Sequence, residues 1–378
     1  MKRTAAIFHA PMGTTASEQF VAAGRLASTS DLIHALRPFV DEILIVASDD
    51  DAESFLSLDV LRVRTSPAAP FHFGRTLQQL IRTHHIEDLL YFGSGSGGLL
   101  SQRCLETLVE FTEQHSRGAL FNNFYSCDFA VFSSASSLLG AQLPANDNGL
   151  GFALSDAGIT CFSLPRTIET MFDIDTPTDL NLLRISDRGG PSLRAFLEAS
   201  APFNHPTLTA VCELLVDRTA LVHLFGRLNP ATWAHFEQQV ACRTSGAIEG
   251  RGMRATETPD TFLHQRILRE IGPTAFFDRL ASTADAAILD TRPLLVEGGH
   301  LPLPSDRFAS DLFLDTKIDN LHWEAFTQAA ANAPIPVLLG GHSLVSGGLY
   351  LLAEAAWKGH QLDRRLHPEP FTGRNDRT

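Results

Sequence analysis

The chain is 378 residues long and 44% hydrophobic, enough apolar material for two buried cores and more than one ordinary domain uses. A formal net charge of -13 and the absence of a basic run argue against nucleic acid as the main partner, since that would need clustered Lys and Arg. The five cysteines (Cys104, Cys127, Cys161, Cys212, Cys242) include no Cys-x-x-Cys pair and indicate neither a disulfide framework nor a zinc site.

Lys2 and Arg3 precede an apolar run, but His9, Pro11 and Gly13 end it too early for a signal peptide. No stretch approaches the roughly 18 apolar residues of a membrane span. A soluble, cytoplasmic protein without a membrane partner is expected. Lys2, Lys317 and Lys358 are the only lysines among the 30 basic residues, so anion contacts must come mostly from Arg.

Short apolar runs alternate with helix-period segments through the first half, the pattern of a largely parallel sheet covered by helices. Strands are predicted at 5–10, 43–47, 60–63, 88–92, 119–121, 129–132 and 160–164, and helices at 30–39, 75–84 and 99–114. After the first strand, N–H groups around Gly13, Thr14 and Thr15 can cradle an anion, with Arg25 the nearby cation; the same run also reads as a surface loop. After the fourth strand comes Phe92-Gly-Ser-Gly-Ser-Gly-Gly98, where Ser94, Gly95 and Ser96 offer hydroxyl and N–H groups to a phosphate, or simply connect. Asn122, Asn123 and Asp128 lie in a polar cluster between two apolar strands and can select a substrate by hydrogen bonding, although Asn pairs also cap turns. Residues 147–151 read as a turn with substrate contact.

The most informative segment is Met171-Phe-Asp-Ile-Asp-Thr-Pro-Thr-Asp-Leu-Asn-Leu-Leu183. Asp173 and Asp175 alternate with apolar residues, so an extended backbone sends both side chains to one side of a sheet. Thr176 is placed to cap a helix, Pro177 suits its first position and Asp179 complements its dipole. Leu180, Leu182 and Leu183 supply the buried face.

Gly-Gly-Pro and Ala-Pro breaks, one short helix apart, mark residues 188–206 as a linker between a first domain, 1–187, and a second, 207–363. Residues 364–378, rich in charge, Pro and Gly, read as a mobile tail. In the second half strands are predicted at 220–224, 286–289 and 335–339, with helices at 207–216, 260–282, 322–332 and 346–357. Residues 243–254 gather Arg243, Arg251 and Arg254 among small residues. Ligands of open α/β sheets bind beyond the carboxyl ends of the strands. Arg292 and the Gly341-His342-Ser343 turn belong there and can assemble a phosphate pocket, while Arg292–Asp290 and Arg307–Asp311 read equally well as structural salt bridges. No P-loop, His-Glu-x-x-His pair or Gly-x-Ser-x-Gly elbow occurs.

The Asp173-Ile-Asp-Thr-Pro-Thr-Asp-Leu180 run resembles the Asp-x-Asp-Thr-Pro-x-Asp-Leu signature of molybdenum cofactor guanylyltransferases and phospholactate guanylyltransferases. The resemblance implies an α/β fold: a nucleotide-diphosphosugar transferase-type Rossmann-like domain, followed here by a second, three-layer α/β domain with no recognised family. It implies Asp173 and Asp175 holding Mg2+ against nucleotide phosphates, and transfer of a nucleoside monophosphate from a triphosphate to a small phosphorylated or carboxylated acceptor in cofactor biosynthesis. Two departures stand out. Gly93-Ser-Gly-Ser replaces the family's Gly-Asp-x-Pro carboxylate, and the first loop lacks the triphosphate-binding Lys. Two readings follow: a divergent nucleotidyltransferase, or a catalytically degenerate regulatory protein that binds a nucleotide or phospho-ligand.

Overall fold

The computed structural model describes residues 2–9, 13–48, 55, 58–65, 70–200, 206–251, 262–296 and 301–360. Seven strands form the first sheet: β1 (Arg3–Phe8), β2 (Glu42–Ala47), β3 (Leu61–Arg64), β4 (Asp88–Gly93), β5 (Gly118–Phe121), β6 (Phe129–Ser133) and β7 (Cys161–Ser163). Their order is β3-β2-β1-β4-β6-β5-β7. β1 pairs parallel with both β2 and β4, and β2 with β3, while β6 runs antiparallel between β4 and β5. A second, four-stranded sheet contains β8 (Leu221–Gly226), β9 (Arg243–Ile248), β10 (Ala286–Asp290) and β11 (Val337–Gly340), all parallel, in the order β11-β10-β8-β9.

Both sheets are covered on two faces, which explains why their central strands read as continuous apolar runs. Successive side chains point to opposite faces. Ala6, Leu44, Leu89 and Tyr91 enter one core of the first sheet, and Ala5, Ile7, Ile45 and Leu90 the other. In the second sheet Leu224, Ile288 and Leu338 face one core, and Phe225, Leu289 and Leu339 the other. The expected three-layer second unit is therefore present.

The core under Leu338 does not stop at the second sheet. It takes in Phe20 and Val21 of helix α1 (Ala16–Leu36) and Leu180, Leu182 and Leu183 of the helix Pro177–Ser186. Thr178 Oγ1 of that helix donates to the Leu339 carbonyl of β11 at 2.7 Å. The interval expected as a linker carries the helix Pro191–Ala199, whose Ser192 and Leu193 N–H groups both donate to the Asp31 carboxylate on α1.

Several elements differ from the sequence reading. α1 begins at Ala16, well before residue 30, because Thr15 and Glu18 form a capping box. Gly272, at φ +78°, and Pro273 split the expected 260–282 helix into Leu263–Ile271 and Pro273–Ala281. Arg243 opens edge strand β9, whose alternation of small and polar residues hid it. Arg254 and the predicted tail lie outside the described residues. Among the described residues no helix is long and apolar enough to cross a membrane.

Candidate functional site

One cavity of about 570 Å3 lies where the carboxyl ends of both sheets meet. From the first sheet it is lined by Phe8 and His9 at the end of β1, Ala47 and Ser48 at the end of β2, and Gly93 and Ser94 at the end of β4. From the second it receives Arg227 after β8, Arg292 after β10 and His342 after β11. The pocket expected in the second half and the Asp-x-Asp site of the first are thus a single space. Arg25, Ser94, Ser96, Asp128, Asp173, Asp175, Arg292 and His342, all expected from the sequence, line it together.

Asp173 and Asp175 lie on an extended loop between the helices Ile168–Met171 and Pro177–Ser186, not on the strand edge suggested by their alternation. The reason is visible in the backbone bonds. Ile174 N–H donates to the Gly95 carbonyl at 3.1 Å, an isolated contact rather than a ladder. Ser343 Oγ donates to the Asp173 carbonyl at 2.7 Å, and Arg25 Nε to the Ile174 carbonyl at 2.7 Å. The Asp179 carboxylate closes the turn by accepting from the N–H groups of Asp175 and Thr176, at 2.9 and 2.7 Å. The helix start expected from Thr176, Pro177 and Asp179 is present.

Gly95 has φ +93°, and a Cβ there would come within 2.8 Å of the Ile174 carbonyl. It permits the close approach of two backbones and does not line the cavity. The Ser96 hydroxyl donates to the carbonyls of Gly93 and Asp128, which fixes the turn. Ser94 Oγ faces His9 Nδ1 at 3.5 Å.

Four carboxylates line the cavity, Asp128, Asp147, Asp173 and Asp175. Burial, then the charges of Asp175 and Asp128, push the Asp173 carboxyl well above its ordinary range, against the pull of Arg25. Burial pushes Asp128 up to about 7; a hydrogen bond from Asn122 opposes this and the charges of Asp147 and Asp175 add to it. Asn122 Nδ2 donates to Asp128 Oδ2 at 2.8 Å, so this buried amide positions an acid instead of facing substrate. Asn123 Oδ1 accepts from Tyr125 N–H and serves its own turn.

The basic side is built differently. Asp290, fully buried, takes a two-pronged contact from Arg227, with Nε at 2.7 Å and Nη2 at 3.2 Å. Burial alone would raise the Asp290 carboxyl, but Arg227, Arg292 and His342 together hold it below its ordinary value. The Arg292–Asp290 pair considered from sequence forms only through the Arg292 main-chain N–H. The guanidinium instead reaches across the cavity, and its Nη2 donates to Asp175 Oδ2 at 3.1 Å. Gly341 makes room for it, because a Cβ there would meet Arg292 Nη2 at 3.2 Å and Thr176 Cγ2 at 2.8 Å. Burial and the Arg227 charge bring His342 down to about 4, so its ring is neutral at ordinary pH.

The anion cradle expected at Gly13 and Thr14 is filled from within. Thr14 and Thr15 N–H groups donate to Glu18 Oε2 at 3.1 and 3.0 Å, and neither Gly13 nor Thr14 lines the cavity. The Thr15-x-x-Glu18 spacing is a recognisable capping box and could have signalled this. Sequence reasoning also missed Arg227, which follows an apolar strand as Arg292 does. It missed Tyr91, whose hydroxyl donates to Asp147 Oδ2 at 2.7 Å, and the aromatic wall where Phe8 meets Phe71, Phe73 and Tyr91. No local motif marks that wall.

A divalent cation is the remaining question of fit. Among the described residues no three His, Cys, Asp or Glu side chains are grouped so as to hold a metal ion. Mg2+ commonly uses one or two carboxylates and completes its shell with water and substrate phosphates. Asp173 and Asp175, two carboxylates lining one cavity, fit that mode.

No protein-family model and no curated protein sequence matches the chain. Among solved structures it is similar to a nucleotidyl transferase from Methanothermobacter thermautotroptrophicus, with 19% identity over 53% of this chain and 99% of that one, TM-score 0.38. It is also similar to a candidate nucleotide-diphospho-sugar transferase from Desulfovibrio desulfuricans G20, with 13% identity over 53% of this chain and 95% of that one, TM-score 0.41. A cytidylyltransferase from Leptospira borgpetersenii serovar Hardjo-bovis gives 14% identity over 52% and 92%, TM-score 0.36.

Proposed function

We propose that the chain is a nucleotidyltransferase that moves a nucleoside monophosphate from a triphosphate to a small phosphorylated or carboxylated acceptor. The observation that carries this reading is the single cavity in which Asp128, Asp173 and Asp175 face Arg25, Arg227 and Arg292 beside an aromatic wall. A nucleoside triphosphate needs all three surfaces: an apolar face for its base, cations for its phosphates, and carboxylates for its bound metal. Asp173 and Asp175 would hold Mg2+, which supplies charge neutralisation at the phosphates. The acceptor oxygen attacks the α-phosphorus and pyrophosphate leaves. Arg25, whose guanidinium is already fixed by the Ile174 and Asp175 carbonyls, offsets the charge that builds on the phosphoryl oxygens.

One observation favours a second reading, a regulatory protein that binds a nucleotide or phospho-ligand without turnover. The N–H groups of Thr14 and Thr15, candidates for holding the triphosphate, are bound to Glu18. Calorimetric titration with each nucleoside triphosphate, with and without Mg2+, together with pyrophosphate release in the presence of phosphorylated and carboxylated acceptors, separates the two. Binding that strengthens with Mg2+ and is lost in Asp173→Asn, accompanied by pyrophosphate release, supports transfer. Binding without release supports the regulatory reading, and no binding of any triphosphate removes both.

A further inference from the structure

We infer that Arg227, Arg292 and His342 form an oxyanion subsite, presented by the second sheet, that holds a phosphate group of the acceptor while the nucleotide occupies the first sheet's side of the cavity. The inference rests on the cavity being a transferase site, and it adds which wall takes the acceptor and by what chemistry.

All three residues follow the carboxyl ends of adjacent strands, so they face one end of a parallel sheet. Arg292 is 6% exposed and its Nε is buried with no hydrogen-bond partner in the protein. His342 Nδ1 is buried and unpartnered in the same way. A guanidinium N–H and an imidazole nitrogen left open beside one cavity point to a ligand, because buried polar groups are otherwise nearly always paired.

Charge points to an anion. Arg227 and Arg292 face a single fully ionised carboxylate from their own unit, Asp290, which Arg227 grips with Nε and Nη2. Asp311 adds little negative charge near neutral pH, since burial pushes its carboxyl up to about 8 despite Arg307 and Arg292. The second wall therefore keeps an excess of positive charge.

Among the described residues the side-chain acceptor of the Arg292 guanidinium is Asp175, on the opposite wall. A cation taken up by Asp175 competes with Arg292 for the same oxygen, which leaves the guanidinium to the acceptor's oxyanion. Occupation of the acidic wall and of the basic wall then favour each other.

The test uses the full chain and inorganic phosphate as probe, followed by calorimetry at pH 7.5. Wild-type protein is expected to bind one phosphate saturably. Arg292→Gln should weaken it by about 10- to 100-fold, the range of a charge-assisted hydrogen bond. Arg292→Lys should recover only part, since an ammonium lacks the planar fork. Arg227→Lys, which keeps a charge beside Asp290, should also weaken it while the circular dichroism spectrum is retained. Unchanged phosphate affinity in both Arg292 variants overturns the subsite, as does absence of binding to wild type. Repeating the titration on protein preloaded with a non-hydrolysable triphosphate and Mg2+ assigns the group. Retained or tighter phosphate binding supports an acceptor subsite, whereas competition gives the residues to the nucleotide's own phosphates and overturns the assignment. Triphosphate binding without phosphate binding removes only this inference. Phosphate binding that depends on Arg292, without any triphosphate binding, removes nucleotidyl transfer and with it the acceptor role, leaving an anion site of another kind.

Discussion

The two walls of the cavity place charge by opposite means. On the acidic wall the main chain is held: Ile174 by Gly95 and Arg25, and Asp173 by Ser343, so the carboxylates sit on a backbone that other groups fix. On the basic wall the side chains hold each other, with Arg227 oriented by buried Asp290. A backbone clamp tolerates a change of side chain at Asp173, because the clamp never touches it. A buried ion pair does not, since removal of one partner strands the other.

That contrast can be broken most severely at Asp290. Asp290→Ala leaves Arg227 without its partner and removes the cap of the helix Thr291–Leu295, and a stability loss of about 3–5 kcal/mol is expected in urea denaturation. A loss below about 1 kcal/mol, the size of an exposed pair, would show that the basic wall is held by other contacts. On the acidic wall Gly95→Ala forces a side chain onto a left-handed backbone and against the Ile174 carbonyl, with an expected cost of about 1–3 kcal/mol. Ser343→Ala removes the other side of the clamp, and the same denaturation measurement should show a loss of about 1 kcal/mol. If Ser343→Ala proved as costly as Asp290→Ala, the two walls would not differ as described.

A separate test is a pH trace at Asp311. Its folded carboxyl titrates near 8, above the ordinary carboxylate value, so the folded state holds the proton more tightly than the unfolded state. The resulting penalty is absent in strong acid, grows as pH rises through the unfolded value, and is complete above about 8. Asp311→Asn escapes it. Its thermal midpoint relative to wild type should climb from pH 5 to pH 8 and then level off; a flat difference would remove the buried, protonated Asp311 from the account of the basic wall.

How much of this was legible depended on the range of the interactions. The helix start at Thr176-Pro177 and its apolar residues Leu180, Leu182 and Leu183 were readable because capping and amphipathicity are local. Strands β1, β2 and β4 were readable as apolar runs. β9 was not, because an edge strand of small and polar residues carries no strong period. Asp128 and Asn122 were both picked out as polar, but only the folded chain shows that one orients the other. The union of two expected pockets into one depended on how two sheets lie against each other, and neither half encodes that alone.

The Ser343–Asp173 contact also bears on how the chain assembles. Its partners lie 170 residues apart in sequence, so it forms only after most of the polypeptide has emerged. Domains emerging from the ribosome tend to fold from the N-terminus first. Here the first sheet can form early, and Leu180 packs against Gly24 of α1, yet the core that holds Leu182 and Leu183 is completed only when Leu344, Val345 and Leu349 arrive. A nascent chain halted before residue 343 would carry Asp173 and Asp175 while lacking the Ser343 side of their clamp, and would leave the core around Leu182 and Leu183 incomplete.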